Sequence, residues 1–144
     1  MNQKKQEDLR FGLNAEDQIK PKLIEIFGSL RKLDKYNDFD FANEKFFIEV
    51  KTRRKELNEY DTWWFDNRKR LSAKQQIVKG FRCFFVWNLE DGIYLWEYKN
   101  KKSQHKNEYY IDKGGRWDRG CYEISDLVNV RTPYLININN FVFE

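Results

Sequence analysis

Asp40, Glu49 and Lys51 are the residues of this chain whose types and spacing best suit hydrolytic chemistry. They lie within residues 37–53, which read NDFDF, a short turn and then FFIEVKTR, a pattern that predicts a β-hairpin. Because successive side chains of a strand point to opposite faces, Glu49 and Lys51 share one face while their apolar neighbours point to the other. Two carboxylates and a lysine at one end of an apolar hairpin can bind a divalent metal and a phosphodiester.

A hard divalent ion such as Mg²⁺ prefers oxygen ligands, commonly one or two carboxylates completed by waters and substrate phosphate oxygens. Asp40 and Glu49, on adjacent strands, supply such a pair, and the backbone carbonyl of Val50 is a candidate third ligand. Lys51 is placed to orient or activate the attacking water and to stabilise charge on the phosphate. The alternative interpretation is structural, a cross-strand salt bridge of the kind that Glu-x-Lys triplets form in edge strands.

Asp38 is a second candidate for the first carboxylate, because it has the same strand parity as Asp40. Periodicity leaves the choice between them open. We prefer Asp40, since Phe39 and Phe41 flank it as buried anchors, whereas Asn37-Asp38 is typical of a turn.

Composition restricts the chemistry further. The 144 residues include 40% hydrophobic and 17% aromatic residues, enough for the core of one domain. The single histidine, His105, and the two cysteines, Cys83 and Cys121, exclude a multi-histidine zinc site and a disulfide framework. Hydrolysis must therefore depend on carboxylates, lysine and a hard metal ion, which we expect to be Mg²⁺, with Mn²⁺ able to replace it.

The hydropathy pattern predicts a soluble protein that does not enter a membrane. No apolar stretch approaches the roughly 20 residues that a membrane span needs, and the N-terminus lacks the apolar core of a signal peptide. We therefore expect an intracellular protein that is not secreted. The compartment would be cytoplasmic, or nuclear or viral if the source is a eukaryote or a virus.

Basic residues are clustered although the net charge is only +4. Clusters of this kind suit a polyanionic partner such as the backbone of a nucleic acid. A solvated face that aids solubility is the alternative. The clustered residues that we predict to contact nucleic acid are Arg53, Arg54, Lys55, Arg68, Lys69, Arg70 and Lys74.

The pattern along the chain predicts an α/β fold with one mixed sheet flanked by helices. A helix at about 14–30, capped by Asn14, carries Glu16 on its apolar side. The predicted order then runs through the hairpin at 39–52, a short strand at 60–65, a helix at 67–80, strands at 81–88, 93–98 and 108–112, and short segments at 121–124 and 127–130. We predict a loop at 100–107 and a turn at Gly114-Gly115.

An acid on the first helix, an acid in a Phe-Asp-Phe strand and a Glu-Val-Lys triplet occur in this order. This constellation resembles the PD-(D/E)XK nuclease superfamily, which has the restriction-endonuclease-like fold with an αβββαβ core. The resemblance implies that Glu16, Asp40, Glu49 and Lys51 occupy the four catalytic positions and that DNA is favoured over RNA. It also implies that a Lys or Gln of the next helix, Lys74 or Gln75, lines the site. The proline that names the motif is absent, because Phe39 precedes Asp40.

These observations predict a single nuclease-like domain over 1–144, with a core at about 12–95 and a β-rich C-terminal extension at about 96–144. The predicted activity is that of a Mg²⁺-dependent deoxyribonuclease, an endonuclease that is structure-selective or weakly sequence-specific, because so short a chain has little room for a separate sequence-reading module. A homodimer would place two nicking sites on one duplex. The alternative is a catalytically inactive nucleic-acid-binding protein that retains the nuclease fold.

Overall fold

A computed structural model describes the backbone of residues 3–118 and 121–144 and the side chains of residues 15–114 and 124–144. The side chain of Cys121 lies outside the described residues. The helices are α1 (Gln3–Phe27), α2 (Asn67–Val78) and α3 (Lys102–Asn107). The strands are β1 (Arg31–Lys32), β2 (Phe41–Ala42), β3 (Phe46–Thr52), β4 (Thr62–Asp66), β5 (Arg82–Leu89), β6 (Gly92–Tyr98), β7 (Tyr109–Asp118), β8 (Cys121–Arg131) and β9 (Ile136–Asn137).

The central sheet is mixed and has six strands in the order β1-β2-β3-β5-β6-β9. β3 and β5 pair in parallel, and the other neighbouring strands pair antiparallel. The chain segment that joins β3 to β5 contains α2, as a parallel crossover requires. This arrangement confirms the predicted fold class, an α/β fold with a central mixed sheet.

A second sheet of three strands, in the order β4-β8-β7, covers one face of the central sheet. Phe65 of β4 stacks on Phe85 of β5 with ring centroids 3.8 Å apart. Helix α1 covers the other face, where Leu23 packs in the same cluster as Ile48 and Val50 of β3. β3 is therefore buried on both sides, which explains why its sequence is apolar almost throughout.

Two predictions about the first helix and the loop after β6 are wrong. α1 begins at Gln3, so Asn14 lies inside the helix and does not cap it. Residues 102–107 form the short helix α3, which the sequence does not reveal because six residues are too few for an apolar stripe. The buried Gln104 stabilises α3 instead, accepting a hydrogen bond from Lys99 N and donating one to Glu97 O.

The predicted turn at Gly114-Gly115 is also wrong, because both glycines lie inside β7. A Cβ atom at Gly114 would come within 2.2 Å of the side chain of Leu127, so this glycine permits close packing against β8. The predicted segments 121–124 and 127–130 belong to one strand, β8, which pairs with β7 along its length. None of the helices in the described part of the chain has the length and apolar character that a membrane span requires.

Candidate active site

Asp40 and Glu49 face each other across the hairpin formed by β2 and β3. Phe41 pairs with Ile48, so the register extended by one position sets Asp40 opposite Glu49. Asp40 N donates to Ile48 O at 2.9 Å, and Val50 N donates to Asp40 Oδ2 at 2.7 Å. The backbone of the hairpin thus fixes both the position and the orientation of the Asp40 carboxylate.

Burial and like charge raise the pKa values of this carboxylate pair. Burial raises the pKa of Glu49 to about 7, and the charge of Asp40 adds to this effect against the opposing charges of Lys69 and Lys51. Burial also raises the pKa of Asp40, while the hydrogen bond from Val50 N lowers it and the charge of Glu16 raises it further. The fold therefore holds two acids where their negative charge is poorly solvated.

Lys69 of α2 is the basic residue that forms a salt bridge with Glu49, through Glu49 Oε1. Its charge also lowers the pKa of Asp40. We predicted Lys69 as a contact to nucleic acid, and Lys74 or Gln75 as the helix residue that lines the site. The structure places Lys69 at the carboxylates, whereas Lys74 is half-buried and Gln75 is exposed.

A helical stripe could have revealed the inward position of Lys69. Lys69 lies four residues before Ala73, which is fully buried, and eight before Ile77, which packs against the core. Residues spaced by four share a face of a helix, so Lys69 belongs to the side of α2 that faces the central sheet. Within a run of basic residues, this spacing is the signal that separates it from its neighbours.

Lys51 extends from β3 toward β4, on the strand face that also carries Glu49. Its Nζ lies 5.4 Å from the centroid of the exposed Trp64 ring, a cation–π contact. The positive charge of Lys51 also lowers the pKa of Glu49. Lys51 is therefore close enough to influence the carboxylates while its side chain rests on an aromatic ring.

Glu16 lies on α1, and its charge acts on Asp40. Its Oε2 accepts a hydrogen bond from Lys32 Nζ at 2.9 Å. This hydrogen bond raises the pKa of Lys32, and the charge of Asp40 contributes to the same shift. The structure thus brings Glu16 into electrostatic reach of Asp40, with Lys32 beside it.

Asp38 has partners different from those of Asp40. It accepts a hydrogen bond from Ser72 Oγ and forms a salt bridge of 3.2 Å with Arg68 Nε, both on α2. Asp40, not Asp38, therefore stands opposite Glu49. Asp38 instead attaches the loop before β2 to the second helix.

The remaining predicted contacts to nucleic acid lie in two settings. Arg70 Nε donates to Asn67 Oδ1 at 2.6 Å and Arg70 Nη1 donates to Tyr98 OH at 3.2 Å, so its side chain has structural partners. Residues 53–55 are exposed and directly follow β3. Although the Arg53 side chain as a whole is exposed, the protein atoms around its guanidinium partly desolvate it and lower its pKa, and the charge of Glu49 opposes this shift.

The donor set fits a hard divalent cation. Asp40 and Glu49 offer carboxylate oxygens, and an added cation would favour the charged form of Glu49, against which burial and then the charge of Asp40 raise its pKa. Among the described residues, no three acidic, histidine or cysteine side chains come together as a group that could hold a metal ion.

Comparison with known proteins identifies the family of the chain. The family model described as "Phage putative PDDEXK endonuclease" matches residues 10–142. Searches of curated proteins and of solved structures found no match. The family match extends well beyond the predicted core at 12–95 and includes β7 and β8. Because it covers most of the chain, the protein belongs to this PDDEXK endonuclease family and thus to the PD-(D/E)XK superfamily.

Proposed function

We propose that the protein is a Mg²⁺-dependent endonuclease that hydrolyses phosphodiester bonds in DNA, with Mn²⁺ able to replace Mg²⁺. The observation that carries this proposal is that the half-buried Asp40 faces the buried Glu49 across the hairpin, where burial and then the charge of Asp40 raise the pKa of Glu49 to about 7. Two such carboxylates repel each other in poorly solvated surroundings, and the salt bridge from Lys69 offsets only part of this cost. Buried carboxylates with shifted pKa values in a nuclease family support a metal-binding role.

Each residue of the site has a proposed role. Asp40, Glu49 and the carbonyl of Val50 would hold the metal, which when bound supplies a Lewis acid and a more acidic water. Lys51 would orient the attacking water and stabilise charge on the phosphate, and its contact with the Trp64 ring restricts where its Nζ can lie. Glu16 would support Asp40 from α1.

Lys69 has a positioning role in this proposal. Its salt bridge fixes one oxygen of Glu49, and its charge offsets part of the repulsion between the carboxylates. A lysine that donates to a metal-binding carboxylate orients it without contacting the metal itself.

DNA would contact the basic residues around the site. Residues 53–55 follow β3 directly, and Arg68, Lys74 and Gln75 lie on the exposed or half-buried side of α2. Contacts of this kind are largely electrostatic, so affinity should fall steeply with salt concentration.

We further propose that residues 1–144 act as one nuclease unit, because β4, before α2, pairs with β8, near the C-terminus. Two such units could nick both strands of a duplex as a homodimer.

A cleavage assay with matched variants tests the proposal. Supercoiled, linear, single-stranded and branched DNA would be incubated with Mg²⁺ or Mn²⁺ and either the parent protein, Glu49→Gln or Glu44→Gln. Glu44 is an exposed acid in the turn of the same hairpin, so it controls for the change in charge. We expect metal-dependent cleavage by the parent and by Glu44→Gln, and none by Glu49→Gln.

Two outcomes would contradict the proposal. Cleavage at the same rate with a chelator present would exclude the metal-dependent mechanism. Salt-sensitive binding without cleavage of any substrate would instead favour an inactive nucleic-acid-binding protein.

A further inference from the structure

An aromatic cleft of about 590 Å³ opens beside the end of β3. Its lining includes Arg53 and five aromatic residues, Tyr60, Trp63, Trp64, Trp87 and Tyr110. The Trp64 and Tyr60 side chains remain 37% and 48% exposed, whereas Trp63 is buried beneath them. Large aromatic side chains that stay exposed around a cavity, rather than scattered over the surface, indicate a binding site.

The cleft is connected to the candidate active site through two residues. Trp64 lines the cleft, and the Nζ of Lys51 lies 5.4 Å from the centroid of its ring. Arg53 follows Lys51 by two positions, and the charge of Glu49 acts on its guanidinium. A group bound in the cleft would therefore lie next to the phosphate that Lys51 is proposed to contact.

The chemistry of the walls specifies the kind of ligand. The rings of Tyr60 and Trp63 are 5.3 Å apart and nearly perpendicular, at 84°, so they form a corner. Two basic residues, Arg53 and Lys55, and one acidic residue, Asp61, also line the cavity. Aromatic rings suit a planar aromatic group, cations suit a phosphate, and a carboxylate accepts from the amino group of a base. A nucleotide combines all three features.

We propose that this cleft binds one unpaired nucleobase of the substrate strand, immediately next to the cleaved phosphate. The proposal rests on the proposed function and narrows its substrate class to nucleic acids with an unpaired nucleotide at the cut, such as bubbles, flaps, branches and single strands. In a fully paired duplex each base is stacked between its neighbours, so it must first be extracted at a cost of a few kcal/mol. The cleft therefore selects substrates in which that base is already unpaired.

Equilibrium binding in the presence of a chelator tests the cleft without cleavage. The DNA would be a duplex with a short internal bubble, a fully paired duplex of the same length, and a series of bubbles with one base removed at each unpaired position in turn. Removing a base leaves the phosphate charge unchanged. The proteins would be the parent, Tyr60→Leu and, as a matched control, Tyr36→Leu. Tyr36 is 86% exposed and does not line the cleft.

We expect the parent to lose affinity for the bubble when the base at one particular position is removed. Stacking of a base on aromatic side chains predicts a roughly tenfold weaker affinity of the parent for the bubble that lacks the bound base. Tyr60→Leu should bind the intact bubble with similarly reduced affinity and lose little more when that base is absent. Tyr36→Leu should behave as the parent does. 2-Aminopurine at the sensitive position should lose fluorescence on binding to the parent, and less on binding to Tyr60→Leu.

Several outcomes would overturn the proposal that the cleft binds a base. Equal affinity of the parent for the bubble and for the duplex would reject the proposal. So would a loss of affinity on base removal that is equally large in the parent and in Tyr60→Leu. The second result would locate the base elsewhere. Unchanged 2-aminopurine fluorescence at every unpaired position would also reject the proposal, and this measurement does not require any variant to fold.

A cleavage assay on the same bubble separates this proposal from the proposed function. If the bubble is cut, the position sensitive to base removal should be adjacent to the cut, and a distant cut would reject the arrangement. If DNA is cleaved equally well in bubble and duplex with no sensitive base, the nuclease proposal stands and the cleft proposal fails. If no DNA is cleaved but one base is bound at Tyr60, the proposed function fails and the cleft remains.

Discussion

Two groups of charged side chains in the central sheet show opposite electrostatic arrangements. Arg82 of β5 and Glu97 of β6 form a bidentate salt bridge, in which Nε donates to Oε2 and Nη2 donates to Oε1, both at 2.7 Å. One cation balances one anion. At the hairpin, in contrast, Asp40 and Glu49 face each other and Lys69 bridges only Glu49 Oε1.

The difference shows which group is arranged for stability and which for binding. A bidentate pair satisfies its own charges, and it needs no further ligand. Two facing carboxylates are held together by the backbone, through the strand register and the hydrogen bond from Val50 N, although their charges repel. An arrangement that the fold imposes against its own electrostatics is typical of a functional site.

After the complete loss expected for Glu49→Gln, the largest effect on the cleavage rate should come from Lys51, the basic residue that we assign to catalysis. Lys51→Met removes the ammonium group while keeping an unbranched side chain on the Trp64 ring. We expect the cleavage rate to fall by roughly 10²–10³, the usual loss when one preorganised donor to a developing charge is removed. Affinity for DNA should change little, because other basic residues make the proposed backbone contacts.

Rates and affinities of Lys51→Met would be measured beside Lys45→Met. Lys45 is an exposed lysine in the turn of the same hairpin, so it loses the same charge away from the carboxylates. A parent-like rate for Lys51→Met would show that the proposed mechanism is wrong, even for an active nuclease.

The pH dependence of stability should distinguish Glu49 from an ordinary acid. Its pKa is about 7 in the folded protein and near the ordinary value of 4.5 in the unfolded chain. The folded state therefore binds more protons between these values, and the free energy of unfolding falls as pH rises from about 4.5 to 7. Glu49→Gln removes this loss, so it should be more stable than the parent by about 1–3 kcal/mol at pH 8 without metal.

Chemical denaturation at pH 5 and pH 8 would measure this difference. The stabilisation by Glu49→Gln should shrink at pH 5, where the parent carboxyl is protonated in the folded state. Mg²⁺ should stabilise the parent at pH 8 and leave Glu49→Gln nearly unchanged, since a ligand that binds only the folded state raises its stability. A Glu49→Gln protein less stable than the parent at pH 8 would show that the carboxylate pair is not strained.

Arg82→Met should change the free energy of unfolding in the opposite direction to Glu49→Gln. It leaves the partly buried carboxylate of Glu97 without its bidentate partner and should destabilise the protein by about 1–2 kcal/mol. The loss should be similar at pH 6 and pH 8, because a guanidinium stays charged throughout this range. The same denaturation experiment measures it, and a loss that varied strongly with pH would remove the contrast with Glu49.

The local parts of this comparison could be predicted from the sequence, and the long-range parts could not. The hairpin depends on a short turn and on strand alternation, so the shared face of Glu49 and Lys51 follows from the sequence. Which basic residue of α2 reaches Glu49 depends on how the helix packs, and only the spacing of Lys69 from Ala73 indicates it. The aromatic cleft requires Trp64 and Tyr110 to meet through β8, a pairing of distant segments that no local pattern encodes.

The smallest effect on the cleavage rate should come from Glu16. Its charge acts on Asp40 in the site, while its hydrogen bond joins it to Lys32 in a surface ion pair. Its side chain is 23% exposed and bonded to Lys32, so solvent and this partner both weaken its influence on Asp40. Glu16→Gln should slow cleavage by roughly fivefold, which corresponds to about 1 kcal/mol. Glu25→Gln, an exposed acid of the same helix, is the matched control and should leave the rate unchanged. A 100-fold loss in Glu16→Gln would instead make Glu16 a third ligand of the metal. Cleavage rates at several Mg²⁺ concentrations distinguish these roles, because a lost ligand raises the Mg²⁺ requirement whereas a weakened distant charge lowers the rate at saturating Mg²⁺.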